Sequence, residues 1–229
     1  MSGRVGSITT DIITDGLVFN MDAANRASYP KSGTTATDTV NSLTGTINGA
    51  NFLTTDNGVF QFDGTDDYID FPSPSATNAG TEESSINVWV KTGTNVSNNQ
   101  TIYSERNGNV HIFSKLRINT NTFDYIFLTP STTLVLSSTV GTPSTNSWYN
   151  ICGTKNNNNF KIYVNGVLSN SSTTSMGSFS TSGTIFSNMG KETSGLYLSG
   201  NIASQQIYNR ALSATEVLHN YNALKGRFQ

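Results

Sequence analysis

The chain has 229 residues, of which 35% are hydrophobic and only 12% charged, with a net charge of −2 and a pI near 5.6. That length allows one large β domain or two small ones, and the lack of a basic stripe excludes nucleic acid as a main partner. A typical soluble domain carries about 25% charged residues, so here Ser, Thr, Asn and Gly must build the surface, which suits β structure with long loops.

In chain order, residues 1–14 read as an arm outside a single domain spanning 15–229. The opening MSGRVGSITTDIITDG lacks the apolar core and cleavage site of a signal peptide. No run approaches the ~18 apolar residues of a membrane span, so the expectation is a chain made and kept in the cytoplasm or carried in a larger particle, without membrane insertion. LVFNMDA (17–23) alternates, with Leu17, Phe19 and Met21 on one face. The stretch NRASYPKSGTTATDTVNSLTG (25–45) reads as a structured loop. GVFQF (58–62) points Phe60 and Phe62 one way, and YIDF (68–71) is expected to pair with it as a hairpin.

SINVWVKT (85–92) places Ile86, Val88 and Val90 opposite Asn87, Trp89 and Lys91. Further strands are expected at 100–105, 109–115, 123–128, 132–138, 147–154, 160–170, 183–190, 196–200 and 201–209. Within 160–170 the Asn165-Gly166 pair is a strong hairpin signal, because both residues tolerate the positive φ of a type I′ turn. Many short strands with regular turn signals imply a sandwich or barrel. One helix is expected, at the end: Ser213 and Glu216 form a capping box, Gly226 stops it, and Val217, Leu218, Tyr221 and Leu224 recur at helical spacing to pack on the sandwich.

The chemistry-bearing stretch is FDGTDDYIDF (62–71), with Asp63, Asp66, Asp67 and Asp70 among apolar residues. Asp at a turn start bonds its own downstream backbone and Gly accepts positive φ, so Asp63–Asp66 read first as a connection. A calcium site on Asp63 and Asp66 and acid–base catalysis stand as alternatives. The spacing does not fit an EF-hand, and paired catalytic carboxylates usually face each other from separate strands.

Three stretches, DGLVFNMDAANRASYPKSGT (15–34), VFQFDGTDDYIDF (59–71) and IASQQIYNRALSATEVLHNYNALKGRF (202–228), together resemble the laminin-G/concanavalin A-like lectin superfamily, and SINVWVKT, SWYNICGT and FKIYVNG follow in the family's order. The opening and closing segments resemble the version found in tailed-phage virion structural proteins. The resemblance implies an all-β, antiparallel jelly-roll sandwich of two curved sheets with one C-terminal helix. It also implies a non-catalytic virion protein (capsid decoration, baseplate or tail fibre) made in the host cytoplasm and displayed on the virion surface. Its partners would be other virion proteins and host or environmental glycans, and a low-charge, amide-rich surface is compatible with a homo-oligomer. A stand-alone carbohydrate-binding module is the alternative, and a glycoside hydrolase a third.

Laminarinase-type relatives carry a Glu-x-Asp-x-x-Glu strand, and that pattern is absent here, so no catalytic residue is assigned. Pentraxin-like relatives bind calcium at one rim. The matching positions in SERNGNVHIF (104–113) and NMGKETSGLY (188–197) are Asn107, Asn109 and Glu192, two amides and one carboxylate, which would hold a hard cation weakly. Calcium is therefore the one cofactor in view.

Among other residues, Cys152 reads as a buried hydrophobe. His111 and His219 lack partners at metal-ligand spacing. Asn156 to Asn159 read as a loop tip. Trp148 is expected to begin a core strand, and Trp89 to point to a second layer or a partner.

Overall fold

Apolar–polar alternation resolves into sixteen strands among the described residues of the computed structural model, which are 11–73, 83–107, 111–129, 132–176, 185–192 and 195–228. They are β1 (Leu17–Asp22), β2 (Thr35–Thr37), β3 (Thr44–Asn48), β4 (Asn51–Leu53), β5 (Val59–Asp63), β6 (Tyr68–Pro72), β7 (Glu83–Thr92), β8 (Gln100–Asn107), β9 (His111–Asn119), β10 (Thr122–Leu128), β11 (Thr133–Ser137), β12 (Trp148–Asn156), β13 (Asn159–Val164), β14 (Val167–Thr173), β15 (Ile185–Met189) and β16 (Ser199–Tyr208). One helix, α1 (Ala214–Leu224), follows them. No helix among the described residues is long and apolar enough to cross a membrane.

The strands form two sheets. The first runs β14-β13-β12-β7-β16-β5-β4, with β1 also on β16; the second runs β11-β10-β9-β8-β15-β6-β3-β2. Every pairing is antiparallel. Their inner faces meet in one core, where Phe19, Phe60, Val88, Ile151 and Phe160 of the first sheet face Ile69, Phe71, Leu116, Tyr125 and Phe127 of the second. Rings from opposite sheets touch edge-on or tilted, Phe19 with Phe71 at 4.9 Å and Phe127 with Phe160 at 4.9 Å, the geometry that aromatic quadrupoles favour. This is the antiparallel sandwich with a terminal helix that the sequence implies.

Two glycines inside strands exist for this packing. A Cβ on Gly153 of β12 would stand 2.6 Å from the Tyr125 ring, and one on Gly45 of β3 would stand 2.6 Å from the Phe71 ring. Each lets an aromatic ring lie against bare backbone.

Several expectations are corrected. β5 and β6 do not pair: β5 lies between β16 and β4 in the first sheet, and β6 between β3 and β15 in the second. The Asp63–Asp67 connection therefore crosses from one layer to the other. Alternation fixes which side chains point inward, and Phe60, Phe62, Ile69 and Phe71 all do, but it does not say from which sheet. The segment read as a loop at 25–45 holds β2 and the start of β3, whose alternation is too short to register. On β1 a bulge between Leu17 and Phe19 sends Phe19 and Met21 to the core and leaves Leu17 in a second cluster with Tyr163, Tyr208 and Val217.

The hairpin at Asn165-Gly166 is as read, with φ of 51° and 79°, and β13 pairs with β14 across it. The Ser213–Glu216 capping box is also formed. The helix lies on the outer face of the first sheet, where Val217 is fully buried, but Leu218 stays 43% exposed beside the Gly166 turn. Gly226 is not the stop: α1 ends at Leu224 and passes into a 3-10 turn at Lys225–Arg227.

Residues 1–10 of the N-terminal segment lie outside the described residues, and 11–14 run along α1. Ile13 N donates to Asn220 Oδ1 (2.8 Å), the Tyr208 hydroxyl donates to Ile13 O (2.9 Å), and His219 Nε2 lies 2.8 Å from Asp11 O.

Candidate functional site

The crossing between the sheets shapes one rim of the sandwich. Asp63 ends β5, and its Oδ1 accepts the backbone N–H of Thr65 at 2.7 Å and of Asp66 at 3.4 Å, closing the turn in the way short acidic side chains do. Gly64 takes the left-handed φ of 86°. Asp67 folds back so that its Oδ2 accepts from Asp63 N at 2.9 Å. The carboxylates of Asp63, Asp66 and Asp67 each bring an oxygen within 4.8 Å of the others. Asp67 is buried, and that burial raises its pKa above 3.8; the Asp63 N–H opposes the rise, while the charges of Asp63 and Asp66 add to it. Gly49 (φ 75°) accommodates this carboxylate, since a Cβ there would stand 1.9 Å from Asp67 Oδ1. Asp70 stands apart from the trio, within β6 and opposite in face to Ile69 and Phe71.

Of the positions matched to calcium ligands, Asn109 lies outside the described residues. Asn107 ends β8, its backbone paired with Ile185 and His111. Glu192 follows β15, is 4% exposed, and its carboxylate bonds the Lys115 ammonium. The loop that carries it is held on the second sheet by Ser104 Oγ, which donates to Lys191 O at 2.7 Å. Among the described residues, the carboxylates grouped closely enough to share a hard cation are the corner trio, of which the sequence offered Asp63 and Asp66.

Neither tryptophan faces solvent as a sugar platform. Trp89 is 2% exposed and sandwiched by Tyr221 (5.5 Å between centroids, 14° between planes) and Phe228 (4.3 Å, 28°). Trp148 meets Phe228 at 4.4 Å. Both lie on the outer face of the first sheet, so Trp148 is not in the main core. Cys152 is fully buried, which pushes its thiol pKa far up and leaves it inert. The Asn156–Asn159 run forms the β12–β13 turn, with Asn157 at φ 51°.

Beside the aspartate corner lie two open cavities. One, of about 540 Å³, is lined by Asp63, Asn98, Asn99, Tyr197 and Ser199. Its wall is braced by Gln100, whose Nε2 donates to Asn95 O (2.6 Å) and whose Oε1 accepts from Ser199 N (2.9 Å). Asn98 and Asn99 are exposed, and their amides have no hydrogen-bond partner among the described residues. Tyr197 lies 6.5 Å from Tyr68, whose ring carries the Lys191 ammonium 3.2 Å above it, a favourable cation–π placement. The second cavity, of about 740 Å³, shares Asp63 and Ser199 with the first and extends over the first sheet past Gln61, Lys91 and Asn201.

A search of curated protein sequences returns no match. Among solved structures, the receptor-binding domain of a botulinum neurotoxin C/D mosaic serotype is 18% identical with a TM-score of 0.69, over 91% of this chain and 51% of that one. The binding domain of botulinum neurotoxin serotype D is 18% identical at a TM-score of 0.68, over 90% and 51%. A Trypanosoma rangeli sialidase is 10% identical at 0.71, over 94% and 34%. The chain spans about half the length of the neurotoxin domains and a third of the sialidase, and at these identities the likeness is one of fold. A family model described as the concanavalin A-like lectin/glucanases superfamily matches residues 63–218. That match covers the aspartate corner, the central strands and the start of the helix, and the chain belongs to this superfamily.

Proposed function

We propose that the protein is a non-catalytic structural component of a tailed-phage particle, displayed on the virion surface, that attaches through its rim loops to glycans or to sibling virion proteins. The observation that carries the glycan reading is the rim cavity, where the unpaired amides of Asn98 and Asn99 stand beside Asp63 and the Tyr197 ring. Amides donate and accept at once, as sugar hydroxyls do, and an aromatic ring offers an apolar face to the sugar's C–H groups.

The non-catalytic reading is supported by where the buried carboxylates are spent, Glu105 among them, which accepts from Ser73 Oγ at 2.7 Å. Asp38 accepts from the backbone N–H groups of Asn20, Val40 and Asn41. Asp124 pairs with Arg117, and Glu192 with Lys115. Asp63, Asp66 and Asp67 share one turn, whereas a catalytic acid and base would flank a cleft. The virion reading rests on the sequence resemblance of residues 15–34 and 202–228.

Mass spectrometry of purified particles tests the location, and the chain is expected among the structural proteins. Its absence there, with glycan binding retained, would instead make it a stand-alone carbohydrate-binding module. A glycan array probed with and without calcium tests the attachment chemistry and the cation together. Release of reducing sugar from a β-glucan panel would sink the non-catalytic reading.

A further inference from the structure

The outer face of the first sheet is treated in two ways. Under α1, its amides pair with one another: Asn87 Nδ2 donates to Gln206 Oε1 (2.9 Å), and Gln206 Nε2 to Asn20 Oδ1 (3.2 Å). Beyond the last covering ring, Phe228 on Trp148, the face is open. There, next to Trp148 of β12, the strand register sets Asn51, Gln61, Asn201 and Lys91 side by side on β4, β5, β16 and β7. The flanking row, with Phe60, Ile202 and Val90, points into the core, so this row points out.

Gln61, Asn201 and Lys91 line the 740 Å³ cavity, and none of the three makes a side-chain hydrogen bond or ion pair among the described residues. Gly93 and Gly200 also line this cavity, and a Cβ on Gly93 would stand 2.4 Å from Ser199 O, one on Gly200 2.3 Å from Lys91 O, so the backbones of β7 and β16 approach closely there.

We infer that this open half-face is a second glycan subsite continuous with the rim cavity, so that the protein grips an internal stretch of a neutral polysaccharide rather than a terminal sugar. The inference rests on the lectin-type reading proposed above and adds where, and how much of, the chain is held. Continuity comes from Asp63 and Ser199, which line both cavities. Extent comes from the row itself: from Gln61 to Lys91 it crosses three strands, about 10 Å at ~4.8 Å per strand, before the rim cavity is counted.

Ligand class comes from the lining. Three amides, Gln61, Asn146 and Asn201, present paired donors and acceptors to hydroxyls. The charged groups are one cation, Lys91, against two carboxylates, Asp56 and Asp63, a balance that rejects a polyanion. Hydrogen bonds to an open shelf suit a hydrated, polyhydroxylated chain better than an apolar ligand.

The test uses the full chain and neutral gluco- and galacto-oligosaccharides of one to about six units. Wild type is expected to bind more tightly as the chain lengthens past a single sugar. The double variant Gln61→Ala with Asn201→Ala is expected to bind the longer members about tenfold more weakly and the shortest binding member as wild type does. Asn98→Ala with Asn99→Ala is expected to weaken every length. These residues are at the surface, and an unchanged urea midpoint verifies that each variant is folded. A wild-type length profile in the Gln61/Asn201 variant, or no length dependence in wild type, overturns the inference and leaves the lectin reading standing. No binding at any length overturns both.

Discussion

Replacing Trp89 by alanine separates two roles that an outward-facing tryptophan on a lectin sheet can have. In this structure the indole is a clamp for the C-terminal helix: it is 2% exposed and stacked between Tyr221 and Phe228. Truncating a buried Phe or Trp to Ala costs about 3–5 kcal/mol, and each lost ring pair about 0.5–1.5 kcal/mol beyond its area. Trp89 has two such pairs, which place it in the upper part of that truncation range, so about 4–5 kcal/mol is expected, a large part of the ~5–15 kcal/mol that holds a domain together. With a urea dependence of about 2–3 kcal/mol/M, the midpoint of a urea melt should fall by about 2 M. Phe228→Ala should cost less, about 1–2 kcal/mol, because Phe228 is half-exposed. It should also red-shift tryptophan emission by uncovering both indoles. Trp89→Ala melting at the wild-type midpoint while glycan binding disappears would be the behaviour of a sugar platform and would refute the clamp.

Glu216→Gln should cost on the order of 1–2 kcal/mol at neutral pH, because it removes the negative charge and one of the two carboxylate oxygens that accept from Arg210 (3.0 and 2.7 Å) and weakens the capping box. Arg210 is the main reason the Glu216 pKa lies near 2 rather than 4.5. The wild-type advantage is therefore full above pH 4.5 and lost as pH falls toward about 2, which urea melts across that range check. Asp67→Asn should be neutral or stabilising at pH 7, since burial and the neighbouring carboxylates raise the Asp67 pKa. A raised folded pKa favours the fold while the group is protonated and is lost as pH rises through it, so the variant's gain should vanish below about pH 3.8. Gln205→Met should raise stability by about 1–3 kcal/mol, because this amide is fully buried between Met21 and Val88 with no hydrogen-bond partner for either of its polar atoms among the described residues; thermal denaturation reads the shift.

What was legible in the sequence was local. The inward set Phe60, Phe62, Ile69 and Phe71 follows from alternation, the Asn165-Gly166 turn from the φ its residues tolerate, and the Ser213–Glu216 cap from three-residue spacing. What was not legible needed the partner strand. Alternation does not tell a hairpin from a crossing between layers, so β5 and β6 read as neighbours although their hydrogen bonds go to β16 and β15. It set Trp89 opposite Val88 and Val90, yet the nature of the covering layer depended on where a helix about 130 residues later would land. Leu218 fits the helical period and is still 43% exposed, because it lands beside the Gly166 turn at the end of the β13–β14 hairpin rather than over the strands. The carboxylate trio was half visible: Asp63 and Asp66 share a turn in the sequence, but Asp67 joins them only because Asp63 N–H draws its side chain back.

The open row on the first sheet shows why such a site escapes a linear reading. Gln61, Lys91 and Asn201 are separated in the chain by whole strands, and each alone is an ordinary polar residue on the outward face of its strand. Only the order β5-β16-β7, which interleaves an early strand, a middle one and the last, lays them in line. Their lack of partners among the described residues then carries meaning by contrast with the rest of the same face, where Asn87, Gln206 and Asn20 form a chain under the helix and the tryptophans are roofed by aromatic rings. A surface poor in charge makes the contrast functional, since neutral amides cost far less than ions to strip of water when a ligand arrives. The helix thus does more than close the domain: α1 with Phe228 beyond it roofs the tryptophan half of one sheet face with aromatic rings and leaves the Gln61–Asn201–Lys91 half uncovered among the described residues.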